Sequence, residues 1–534
     1  MTEHFATPHP SFSLLAFRWG CVLTVLLGNT LQAEESWWQF RGPHGDGHTA
    51  ATNLPFKWSE NDHVAWKTKI HDRGWSSPVI WGDQIWVTTA TRDGHRLFAV
   101  CINKDTGRIV HDLHLFDVEQ PMKITDENTY ATPTPVIEQG RVFVHYGTYG
   151  TACLDTTTGR KIWTRRDLNC DHEANAGPAS SPTLIAGQLV VHVDGRDVQY
   201  IIALDRATGK TLWKTNRSID FTDIPVHHRK AFCMPCEMRL GDATQIISPG
   251  GRAVYSYDLQ GRELWRVQHR GFSVAPRPVF GHNLVFVVID RDQPELWAIR
   301  PDGQGDVTDT HVAWKHLNSM PPRCSPLLIG DLLYIMNRDG VATCLDAKTG
   351  ERVWRERLRG KYSASPIYAQ GHIYLFNDDA TTTIIRPGRK LEVVASNSLS
   401  RQQLRATPAI DENAWILRTE NYLYRIENGT TKQSPTKTTK NTFIGKWDIG
   451  KSTPTSAPKF VMTLNADFTA RKSHAPKATG RWQLVNGEAR VVWSDGWRDI
   501  LRAEGERFRK IAFRPGTDFD DSPDNQDPAE RSAK

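Results

Sequence analysis

Leu154-Asp-Thr-Thr-Thr-Gly-Arg-Lys-Ile-Trp163 is one copy of a signature that recurs along the chain. The pattern returns as Leu204-Asp-Arg-Ala-Thr-Gly-Lys-Thr-Leu-Trp213 and Leu345-Asp-Ala-Lys-Thr-Gly-Glu-Arg-Val-Trp354. A shortened copy reads Tyr257-Asp-Leu-Gln-Gly-Arg-Glu-Leu-Trp265, and Ile102-Asn-Lys-Asp-Thr-Gly-Arg-Ile-Val-His111 carries His in the Trp place. Each copy reads as a hairpin. The Asp carboxylate accepts hydrogen bonds from turn amides, and the Gly supplies a positive φ. The residues before the turn run apolar, as those of a buried strand do. A Trp held at one register of the returning strand is a packing element, so Trp163, Trp213, Trp265 and Trp354 are predicted to lie buried between neighbouring sheets.

A second signature precedes the first: a small polar residue and Pro open a strand, a Gly turn follows, and an apolar strand comes next. The copies start at Ser77-Pro78, Thr134-Pro135, Ser181-Pro182, Arg277-Pro278, Ser325-Pro326, Ser365-Pro366 and Thr407-Pro408, with Cys233-Met-Pro-Cys-Glu-Met238 filling the one double-length gap. Eight units of four short strands predict an all-β, eight-bladed β-propeller over residues 34–428. The leading strand around His63-Val-Ala-Trp-Lys67 is expected to pair with the last blade, because an open stack would leave sheet edges exposed.

The rest of the chain frames this domain. Residues 1–33 read as a signal peptide: Arg18 precedes the apolar run Gly20–Gly28, too short to span a bilayer, and Leu31-Gln32-Ala33 is a candidate cleavage site. An uncleaved anchor is the alternative. The processed chain is therefore expected to be periplasmic or otherwise extracytoplasmic, and not membrane-spanning. Residues 429–441 have linker composition. Residues 442–516 carry five short β segments and the hairpin signal Asn486-Gly487, predicting a small antiparallel barrel or sandwich. The polar stretch 517–534 reads as a disordered tail.

Composition narrows the function classes. Of 534 residues, 39% are apolar and 24% charged, which argues against global disorder. The net charge of +6 is scattered, without the basic stripe or recognition motif of a nucleic-acid binder. Seven Cys follow the signal, an odd number, so at least one is free or pairs between chains. Cys101, Cys153 and Cys344 share the repeat position held by Ala203, which reads as a small buried site with reduced thiols. For Cys233 and Cys236 three readings stay open: structural thiols, a disulfide, or a metal or redox pair.

The Ser-Pro starts, the Leu-Asp-x-x-Thr-Gly turns and the spaced Trp residues resemble the PQQ-like propeller repeat. That superfamily includes quinoprotein alcohol dehydrogenases and the propeller lipoprotein of outer-membrane protein assembly. The opening Trp37-Trp-Gln-Phe-Arg-Gly-Pro43 is similar to the start of many exported bacterial proteins of this kind. The segment Gly480–Gly516 resembles, more faintly, a lipocalin-like domain fused to such proteins. The resemblance implies the fold and constrains activity weakly, since one fold hosts many functions. Quinoprotein active sites carry a disulfide between adjacent cysteines, a Ca²⁺ held by carboxylates and amides, and an Asp base. This chain has no Cys-Cys pair, and Glu237 after Cys236 departs from the haem-attachment pattern.

Three functions follow for test. The first is a non-catalytic envelope binding or scaffold protein, with no catalytic residues and no cofactor. The second is an oxidoreductase using PQQ with Ca²⁺, or a metal. The third is a carbohydrate-binding or carbohydrate-active protein, drawn from aromatics outside the repeat register: Trp75, Tyr130, Tyr149, Phe232 and Phe272. His172, His227, His228 and His269 are expected as isolated loop histidines, converging His being the metal-binding alternative. The connections between blades lie at one face beside the channel, and there the sequence holds residues that folding does not require. The binding candidates are Arg73, Trp75, Tyr130, His172, His269, Arg277, Arg323, Tyr362 and Arg405. Arginine forks suit carboxylate or phosphate, so an anionic ligand, an acidic peptide, or an envelope protein or glycan is the expected partner.

Overall fold

The computed structural model describes residues 36–532 apart from 173–175, 273–274, 318–319, 322, 400–401, 432–439, 452–456, 486–487, 505–506 and 520–522. The export segment, its cleavage site and Asn486-Gly487 lie outside the described residues. Among the described residues, no helix is long and apolar enough to cross a membrane.

Eight antiparallel sheets form the propeller, each with an inner strand that follows a repeat proline. These inner strands are Val79–Trp81, Val136–Glu138, Thr183–Ile185, Cys236–Leu240, Val279–Gly281, Leu327–Ile329, Ile367–Ala369 and Ala409–Asp411, and they number blades 1 to 8. The strand Asp62–Lys69 is the outer strand of blade 8. It pairs antiparallel with Tyr422–Thr431, closing the ring with the chain's first strand. Blade 4 takes a fifth short strand on its outer edge, Gly305–Asp306, which pairs in parallel with Trp265 and Arg266.

The hairpin signature behaves as its chemistry requires. The Asp155 carboxylate accepts from the Thr157 and Thr158 amides, and Gly159 turns the chain at φ +70°. Three of the returning Trp residues then staple their blade to the next, while Trp265 donates to Gln245 Oε1 within its own blade. The Trp163 indole donates to Arg206 O at 3.0 Å, Trp213 to Leu259 O at 3.0 Å, and Trp354 to Gly388 O at 3.0 Å. Two copies that the signature did not flag do the same: Trp66 donates to Lys104 O and Trp314 to Ala347 O. The next blade's turn glycine is required by this contact. A Cβ on Gly209 would stand 2.6 Å from the Trp163 ring, and one on Gly261 would stand 2.3 Å from Trp213. Burial is uneven. Trp163 and Trp265 are buried, but Trp213 and Trp354 are only half-buried, which corrects the expectation that all four are enclosed.

The small repeat position has a direct cause in the register. Cys101, Cys153, Ala203, Ser256 and Cys344 sit opposite His111, Trp163, Trp213, Trp265 and Trp354 on the neighbouring strand. A larger side chain would displace the ring. All seven described cysteines are free and buried, Cys233 and Cys236 included.

The C-terminal domain is a closed barrel of eight strands running from Gly445–Ile449 to Asn525–Arg531. Phe443, Trp447, Met462, Trp482 and Trp493 fill its core. The sequence showed five of these strands. The stretch expected as a disordered tail supplies the closing one: Asn525–Arg531 pairs with Arg507–Phe513 on one side and Gly445–Ile449 on the other. Its alternation is sparse, with Asp527 and Ala529 buried between exposed neighbours, so composition concealed a strand that the barrel's open edge demands.

Candidate binding funnel

In six of the eight blades the residue before the repeat proline is a Ser or Thr, and its hydroxyl can link neighbouring blades. The Ser77 amide donates to Thr134 Oγ1, Thr134 to Ser181 Oγ, Ser325 to Ser365 Oγ and Ser365 to Thr407 Oγ1, all at 2.9–3.0 Å. The small polar residue of the signature is therefore an inter-blade acceptor for an amide that would otherwise be buried without a partner. Met234 and Arg277 occupy this position in blades 4 and 5 and have no hydroxyl to offer.

The opening Trp37–Pro43 motif plugs the deeper end of the channel. Trp37 O accepts from Ile80 N in blade 1, Trp38 O from Ile137 N in blade 2, and Gly47 O from Tyr368 N in blade 7. Gly45 has φ +67°, and a Cβ there would stand 2.0 Å from the Arg277 guanidinium carbon, so the plug and Arg277 are mutually fitted. Arg277 donates to Gln39 Oε1 at 3.1 Å and to Phe40 O at 3.2 Å.

Above the plug lies an open cavity of about 650 Å³, floored by Phe40 and Met234 and walled by Trp75, Glu127, Arg277, Arg323, Arg338 and Arg405. The arginines come from separate parts of the ring: Arg323 from the connection between blades 5 and 6, Arg338 from a turn within blade 6, and Arg405 from the connection between blades 7 and 8. Their carboxylate pairing is partial. Arg323 and Arg338 share Glu127, which reaches them from the connection between blades 1 and 2. Arg405 donates to Glu127 O at 2.7 Å, lies 3.7 Å from Asp378 and places its guanidinium 5.4 Å from the centre of the Trp75 ring. No carboxylate approaches Arg277 within ion-pair distance among the described residues. The Arg338 and Arg323 forks, with their positive charges, hold the Glu127 carboxyl at about 2. Burial pushes the Asp378 carboxyl up despite Ser363 and Arg405 beside it.

The sequence-selected residues divide into three groups. Trp75, Arg277, Arg323 and Arg405 meet in the funnel. Arg73 and Tyr130 line a smaller adjoining cavity of about 460 Å³, with Arg73 3.3 Å from Glu420. His172, His269 and Tyr362 lie outside both. Tyr362 is fully buried and donates to Arg359 O. His269 is buried edge-on against Trp297. His172 accepts from Thr148 N at 3.3 Å and belongs with His145 and His192 to a group influenced by the buried Lys230. These imidazoles are core groups rather than the solvated loop histidines expected. Burial, reinforced by the Lys230 charge, lowers His145 to about 3, His172 well below its ordinary range and, against Asp194, His192 to about 4. Sequence reasoning missed Glu127 and Arg338. Arg338 sits in a turn inside blade 6 rather than in a connection between blades.

The aromatics outside the repeat also find structural employment. The Tyr130 hydroxyl donates to Met122 O at 2.6 Å, and the Met122 amide donates to the Tyr149 hydroxyl at 3.1 Å, fixing the base of the connection that carries Glu127. Phe272 stacks on His228 at 4.2 Å. Among the described residues, no three His, Cys, Asp or Glu side chains are grouped to hold a metal ion. Within the funnel the Glu127 carboxylate is committed to Arg323 and Arg338.

The family described as outer membrane protein assembly factor BamB matches residues 57–215 and 250–388, more than half of the chain. The outer membrane protein assembly factor BamB of Shewanella oneidensis is 20% identical over 324 residues, which is 56% of this chain and 75% of that protein. Among solved structures, BamB from Moraxella catarrhalis is 13% identical with a TM-score of 0.47, covering 68% of this chain and 99% of that one. A europium-containing methanol dehydrogenase is 11% identical with a TM-score of 0.51, covering 72% and 89%. The likeness to the dehydrogenase is one of fold.

Proposed function

The chain belongs to the family described as outer membrane protein assembly factor BamB, and from that premise we propose that it is a non-catalytic binding or scaffold protein of the bacterial envelope, which holds an anionic partner in the propeller funnel. One observation carries the reading: Arg277, Arg323, Arg338 and Arg405, from distant parts of the sequence, converge on a single open cavity beside Trp75. Planar guanidinium forks in a partly enclosed site recognise carboxylate or phosphate geometry, and low local dielectric strengthens them. The relative's printed role in outer-membrane protein assembly supports an extracytoplasmic location and an envelope protein as the partner.

A fluorescein-labelled decapeptide of alternating Asp and Gly, titrated at low salt, tests this. Arg323→Glu places a carboxylate where a cation stood and is expected to weaken binding at least tenfold. The melting temperature of Arg323→Glu is read alongside, so that a loss of binding is assigned to the funnel only where the fold persists. Equal binding by both proteins would remove the funnel from the account. Incubation with PQQ and Ca²⁺ addresses the oxidoreductase alternative, for which the methanol dehydrogenase offers fold alone. A bound quinone spectrum would favour it over the scaffold reading.

A further inference from the structure

Glu127 is anomalous among the funnel's ion pairs. Its carboxylate takes both Arg338 Nη atoms and Arg323 Nη2, while its own backbone carbonyl takes Arg405 Nη1 at 2.7 Å. The partners lie 196, 211 and 278 positions away in sequence. The connection that delivers it is fixed at its base by Tyr130 and Tyr149, and on the blade 3 side by the Asn128 amide, 3.1 Å from Pro178 O. Thr125, Asp126 and Glu127 themselves are exposed, so this stretch is not secured to blades 6 and 8 by apolar burial. Three arginines serve one glutamate and the partly buried Asp378. Among the described residues, two buried guanidinium N–H groups, Arg338 Nε and Arg405 Nε, have no hydrogen-bond partner.

What the three arginines hold is a glutamate side chain together with the peptide carbonyl of the same residue. That is the chemistry of an acidic peptide segment, presented by the chain to itself. We infer that the Arg323, Arg338 and Arg405 cluster is a docking site for an Asp or Glu of a partner's acidic segment, and that Glu127 occupies it as a tethered competitor. The inference rests on the funnel reading above and adds the recognised group and its restraint. A partner carboxylate displaces Glu127 and inherits its fork with Arg338. The apparent affinity is lowered by the fraction of time that Glu127 holds the site. The depressed titration of the Glu127 carboxyl fits a competitor that stays ionised throughout the envelope pH range.

The same labelled decapeptide distinguishes the two ideas. Glu127→Gln keeps the side chain's shape and removes its charge, and it is expected to bind the decapeptide at least tenfold more tightly than the wild type at low salt. Saturating peptide should also speed amide exchange across residues 121–128 in the wild type, as the tether is released. If wild type and Glu127→Gln bind equally and Arg323→Glu weakens binding, the competitor is overturned while the funnel site stands. If neither wild type nor Glu127→Gln binds, both fall. Unchanged exchange at saturation would also overturn displacement, whatever the affinities.

Discussion

Trp265→Ala is expected to lower stability by about 3–5 kcal/mol, as loss of a buried Trp generally does. Trp265 is fully buried between blades 4 and 5 and donates to Gln245 Oε1 at 3.0 Å, so truncation opens a cavity and leaves the Gln245 carboxamide short of a donor. Trp213 is half-buried and donates across to Leu259 O of blade 4, so Trp213→Ala removes less buried surface and should cost measurably less. Denaturant midpoints of the two variants against the wild type check both statements. Equal losses would mean that ring burial alone does not set the cost. No loss at Trp265 would break the repeat alignment on which the propeller reading stands.

Acidification from pH 6.5 to about 4 should destabilise the protein steeply. Burial keeps four imidazoles neutral in the fold: His145 and His269 are lowered to about 3, His192 to about 4, and His172 lies well below the ordinary 6.5. Above pH 6.5 neither the folded nor the unfolded chain protonates them, so they impose no slope. Below it the unfolded chain gains protons that the fold refuses, until the folded values are reached. Well below pH 6.5 each such histidine costs about 1.4 kcal/mol per pH unit, or up to roughly 6 kcal/mol per unit for four. Carboxylates held low by their partners, such as Asp155 and Glu127, add to the loss only nearer pH 4 and below. Urea midpoints at pH 7, 6 and 5 read the slope directly. A flat profile would mean that these histidines titrate in place.

The propeller was legible because its repeats carry chemistry at fixed spacing. A turn Asp, a positive-φ Gly and a returning Trp recur where a hairpin needs them, and the blade count followed from the Pro positions. Trp314 escaped because the extra segment around Gly305–Asp306 stretches its turn beyond the pattern. The closing strand of the barrel escaped because Asn525–Arg531 has the polar composition of a tail; only the unpaired edges of two other strands call for it. In the funnel, Trp75, Arg277, Arg323 and Arg405 were readable as residues surplus to folding. His172, His269 and Tyr362 looked alike in sequence, yet they turn into the core, because an inter-blade connection has an inner and an outer side that linear position does not reveal. Glu127 was hidden for the converse reason. One carboxylate in a polar connection carries no signal until the ring closes and brings blades 1, 6 and 8 around it.

Mapping where an acidic segment binds tests the central claim most directly. An Asp-rich decapeptide bearing a benzophenone, photo-crosslinked to Glu127→Gln and digested, should label the connections around Arg323, Arg338 and Arg405, and free decapeptide should compete the label away. Competed labelling concentrated instead on the outer blade strands or on the C-terminal barrel would contradict the funnel as the binding site.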